Sequence, residues 1–210
     1  MKRARVMSTV AMAFFILSLF AMAVSETMRY VLLFDYGGSA DYVTIVRDVL
    51  TFELPMLFGL IMVIIGVRLH ARGRDRVIYP SGFLILMIAP VSLAVIGGFS
   101  GSSGGKTEYF AFWAAMAVGM LLVALDGFLC PRLRLMGIFG GALLLYSVTN
   151  LKKMNSGDSG ALLLALGQMA KGSGYILLYI YQIAYVVGLT SLAIGALIYA
   201  VGRPAKSKSQ

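Results

Sequence analysis

Six stretches of this chain run almost without a charged residue, and that feature constrains the fold more than any other. They are Val6–Ser25, Val49–Val67, Val77–Gly98, Tyr109–Cys130, Leu135–Leu151 and Gly174–Val201. Only Glu53 and Asp126 interrupt them. A helix needs about twenty apolar residues to cross the hydrocarbon of a bilayer. Inside lipid only helices and closed barrels satisfy every backbone group, and these runs lack a barrel's alternation. The expected fold is therefore all-α: a polytopic transmembrane bundle of six spans, forming one integral membrane domain over residues 1–210. Composition agrees, with 60% hydrophobic and 13% charged residues, against roughly 45–50% and 25% in soluble domains.

The chain has 18 basic and 9 acidic residues, a net charge of +9. In a soluble protein that excess would suggest nucleic acid, but its distribution points elsewhere. Lys2, Arg3, Arg5, Arg68, Arg72, Arg74, Arg76, Arg132, Arg134, Arg203, Lys206 and Lys208 fall in alternate connections. The other connections hold six basic residues and seven acidic ones, Glu26, Asp35, Asp41, Asp48, Glu53, Glu108 and Asp158. This positive-inside pattern places both termini in the cytoplasm, with a plasma or inner membrane as host. No nucleic-acid partner is expected. Arg68, Arg72, Arg74 and Arg76, in one loop with the single histidine His70, are candidates for contact with anionic lipid headgroups; ordinary orientation bias explains them as well.

Near the start, Lys2-Arg3-Ala4-Arg5, an apolar run, and Ala21-Met22-Ala23 together fit a secretory signal. The run is long enough to span, so an uncleaved anchor is expected. Residues 26–48 read as the longest outer loop, whose paired carboxylates are expected to be solvated. Ser159–Ala170 is apolar but too short to cross, and reads as an interfacial or re-entrant helix. Gly97–Gly105 holds five Gly and three Ser, a flexible connection lacking the Gly-Lys-Ser/Thr ending of a phosphate-binding loop.

Polar residues inside apolar runs are the candidate functional positions. Glu53 begins Glu53-Leu54-Pro55: either Thr51 caps a helix whose first turn holds Glu53, or the helix starts earlier and Pro55 kinks it. Asp126 lies one turn before Cys130-Pro131-Arg132, where Arg132 or Arg134 can fold back to pair with it. In the last span Tyr175, Tyr179, Tyr181, Gln182 and Tyr185 share one sector of roughly 160° at 100° per residue. They fit an aromatic belt, an interface with other helices, or a lined pathway.

Small residues at spacing four mark candidate packing faces: Ala111, Ala115 and Gly119; Gly137 and Gly141; Ala184 with Gly188; Ser191 with Gly195. One histidine and one cysteine, Cys130, leave no haem pair, zinc site or Ser/Cys–His nucleophile within the chain. No cofactor or metal is expected, and no catalytic constellation is present. The expectation is a non-enzymatic subunit of a larger membrane assembly, of secretion or energy-transducing type, whose partners are membrane lipids and other membrane subunits. The alternative is a small-solute or ion channel or transporter using Glu53, Asp126 and Gln182 along one path.

Overall fold

A computed structural model of the chain describes residues 2–36, 46, 49–70, 77–100, 106–129, 134–149 and 173–202. Its helices are α1 (Lys2–Tyr36), α2 (Leu54–His70), α3 (Ile78–Leu86), α4 (Ile88–Ser100), α5 (Lys106–Leu129), α6 (Arg134–Thr149) and α7 (Ser173–Gly202). A π-helical turn, Val49–Glu53, leads into α2. No strand occurs among the described residues. Five segments are long and apolar enough to cross a membrane: Arg5–Leu32, Val49–Leu69, Ile78–Val95, Phe110–Leu129 and Ile176–Gly202. The expected fifth span is the exception. α6 has 16 residues, which is about 24 Å of helix against roughly 30 Å of hydrocarbon.

Three sequence expectations are corrected. α1 does not stop at the first charge but continues to Tyr36, so residues 26–36 are helix rather than loop. Thr51 does not cap α2, because the chain is already helical from Val49. The Gly/Ser-rich connection begins later than expected, since Gly97, Gly98, Phe99 and Ser100 complete α4. The apolar segment 159–170, Cys130, and Arg72, Arg74 and Arg76 lie outside the described residues.

Two prolines explain the irregular joints. Proline has no N–H, and its ring clashes with the carbonyl four residues earlier. For Pro55 that carbonyl belongs to Thr51, and the wider π-turn gives it room. For Pro90 it belongs to Leu86, where α3 ends. The Met87 N–H still donates to the Phe83 carbonyl at 3.0 Å, and the Val91 N–H to the Met87 carbonyl at 3.1 Å. Thus α3 and α4 remain nearly one rod.

Neighbouring rods form a closed cycle: α1 on α2, α2 on α3, α3 and α4 on α5, α5 on α6, α6 on α7, and α7 back on α1. Each pairing is antiparallel where close contacts fix it. The α1–α7 register runs from Met7 beside Gly202, through Phe15 at Gly195, to Met22 at Gly188. The Ser18 hydroxyl adds a hydrogen bond to the Gly188 carbonyl at 2.8 Å. Close approach elsewhere depends on glycine. A Cβ on Gly66 would lie 2.3 Å from the Tyr79 backbone nitrogen, and one on Gly140 2.6 Å from the Gly119 carbonyl oxygen. Inside the cycle, Phe15, Tyr79, Phe83 and Tyr199 pack ring against ring, with centroids 4.4 Å (Tyr79–Tyr199) to 6.5 Å (Phe15–Tyr79) apart. Offset and edge-to-face packing of this kind joins α1, α3 and α7 across the interior.

Candidate functional site

α1 carries one continuous inward stripe: Ala11, Phe15, Ser18, Met22, Ser25 and Arg29, at alternating spacings of four and three. All but Arg29 are buried. Arg29 therefore belongs to the bundle's inner face, and its charge needs partners there. It has two. Its Nε lies 2.8 Å from Glu26 Oε2, one turn earlier on α1, and its Nη2 pairs with Glu53 Oε1 at the end of the π-turn. The Tyr30 hydroxyl donates to the same Glu53 oxygen, and the Arg29 guanidinium sits 5.4 Å from the Tyr30 ring centroid. The side chains of Arg29, Glu26 and Glu53 are 22%, 15% and 9% exposed. Two carboxylates thus share one guanidinium in a half-buried setting.

α7 completes this end of the bundle. The Ser25 hydroxyl donates to the Tyr181 carbonyl at 3.3 Å, which fixes α7 beside the cluster. Tyr181 stacks on Tyr185, with centroids 6.2 Å apart and planes at 17°. Both tyrosines and Gln182 are half-buried, whereas Tyr179 is 62% exposed. Tyr175 lies in α7, with its side chain outside the described set.

Asp126 sits at the other end. It is 1% exposed, in the last turn of α5. It fits there because α6 presents no side chain: a Cβ on Gly137 would lie 2.5 Å from Asp126 Oδ2 and 3.0 Å from the Ala200 Cβ of α7. Beside it, Gly127 makes room for Pro80, where a Cβ would be 2.7 Å from the proline Cβ. From Tyr181 to Ala200 helix α7 rises about 28 Å, so Glu53 and Asp126 occupy opposite ends of the bundle. The aromatic junction of Phe15, Tyr79, Phe83 and Tyr199 lies on the Asp126 side of that span. Glu53, Asp126 and Gln182 do not converge.

Of the packing faces, Gly119 meets Leu144 and Gly140, Gly137 meets Asp126, Gly141 meets Leu197, Gly188 meets Met22 and Gly195 meets Phe15. Ser191 is buried, and Ala115 and Ala184 are half-buried. Ala111 is exposed on α5. Arg68 is exposed at the end of α2. Sequence reasoning missed Glu26, Arg29 and Tyr30 as site residues. Their signal was present: Arg29 continues the inward spacing of α1, and Glu26 lies three residues before it. Among the described residues no group of three His, Cys, Asp or Glu side chains could hold a metal ion. The chain matches no protein-family model, no curated protein and no solved structure.

Proposed function

We propose that this chain is a non-enzymatic integral membrane subunit of a larger membrane assembly, with six crossings, both termini in the cytoplasm, and a plasma or inner membrane as host. Basic residues in alternate connections support the orientation. Met7, near the start of α1, and Gly202, at the end of α7, also meet at one end of the bundle. The observation that carries the functional reading is the filled interior. Where a conducting path would run, aromatic rings from α1, α3 and α7 pack against one another. The candidate pathway residues stand apart at opposite ends. With the inner faces engaged in packing, the outward faces remain for interaction with lipids and other subunits. A channel or transporter would need a continuous polar route between Glu53 and Asp126, which this packing disfavours. Intact-mass measurement of the tagged chain in gentle detergent tests the reading. Stoichiometric companion chains are the expected outcome; a monodisperse monomer would overturn it.

A further inference from the structure

The cluster at the α1–α2 junction has an asymmetry that the assembly reading does not use. Glu26 and Arg29 lie on the same helix, three residues apart, while Glu53 reaches Arg29 from another. When Glu26 is ionised it neutralises Arg29 within α1, so α1 offers Glu53 little net charge. The two carboxyls also lie close enough to interact directly. When Glu26 is neutral, the guanidinium charge is left to Glu53, and the Glu26 carboxyl becomes a donor instead of a second acceptor. We propose that Glu26 is a proton-operated latch: one proton, held between Glu26 and Glu53 beside Arg29, tightens α1 onto α2, and its loss loosens that junction.

Three features of the molecule support this device. The charge arithmetic of the cluster changes from one net negative to neutral with one proton, in a setting where an unbalanced charge is costly. Glu53 sits on a π-turn, a joint that Pro55 keeps out of the regular α-helical ladder, so the carboxyl is carried by the irregular entry to α2 and not by its regular body. Few other ionisable groups face the cluster among the described residues. α1 contributes Arg29 and Tyr30, and α7 contributes Tyr181. Helix α4, which packs against the π-turn, has no titratable residue in its sequence. The latch does not depend on the proposed assembly role.

The test uses the full chain in lipid nanodiscs, with spin labels at the exposed positions Thr27 and Leu50, measured from about pH 4 to about pH 9. The expected result is a short, narrow distance at low pH that lengthens and broadens as pH rises. Glu26→Gln, which keeps the Arg29–Glu53 pair and copies the protonated carboxyl, should hold the short distance throughout. Glu26→Asp should restore a pH response. A wild-type distance that does not move, or a Glu26→Gln variant that responds as fully as wild type, would overturn the proposal. Neither result bears on companion chains, so its failure is distinguishable from failure of the assembly reading.

Discussion

The two ends of the bundle accommodate carboxylates in opposite ways. At one end Glu26 and Glu53 share one guanidinium, assisted by the Tyr30 hydroxyl, and keep some exposure. At the other, Asp126 is fully buried in a space made by the missing side chain of Gly137. The first arrangement is electrostatic and spans helices through long, adjustable side chains. The second also needs helices that approach closely, because a Cβ on Gly137 would lie 2.5 Å from Asp126 Oδ2. The two ends should therefore fail differently.

The largest expected effect is on the steric end. Gly137→Leu places carbon where Asp126 Oδ2 lies and should destabilise the fold by about 3 kcal/mol or more, seen as loss of monodisperse protein and a lower Tm in detergent. Next, Arg29→Gln leaves two carboxylates facing each other. A fully buried pair would lose about 3–5 kcal/mol, but partial exposure reduces this to about 2 kcal/mol, measurable by thermal unfolding. Asp126→Asn preserves the shape over Gly137 and should lose no more than about 1 kcal/mol. A loss equal to that of Gly137→Leu would show that the charge, not the fit, holds Asp126 in place. The smallest effect separates the ends by ionic strength. About 1 M salt should shrink the Arg29→Gln penalty by a few tenths of a kcal/mol and leave the Gly137→Leu penalty unchanged.

Helical class, five membrane-length segments and the close-packed glycines Gly119, Gly137, Gly141, Gly188 and Gly195 were legible in the sequence, because uncharged runs and small-residue spacing follow directly from bilayer thickness and helix geometry. The polar cluster was not. Ending the first span at Ser25 assumed that charge marks the edge of a helix, whereas Glu26 and Arg29 carry their own compensation and α1 passes through them. The irregular entry to α2 was half legible: Pro55 signalled a disturbance, but whether it follows a cap or distorts an existing helix depends on the chain before it. Gly66 and Gly82 also escaped notice. Gly66 meets Tyr79, and Gly82 meets Gly59 and Val63, and such pairings depend on which helices become neighbours.

The α1–α7 pairing has a consequence for biosynthesis. Among the described helices, α1 finds its most extensive partner only in α7, which lies far along the chain. The 136 residues between Tyr36 and Ser173, at about 5–20 residues per second, take roughly 7 to 30 s to emerge. Through that interval the face of α1 that α7 will cover is turned to lipid, and until Glu53 emerges Arg29 has Glu26, one turn away, as its carboxylate partner. The local pair thus protects a nascent helix before it serves the finished bundle, and chains lacking Glu26 should be recognised more often by the quality-control proteases that survey unassembled membrane segments.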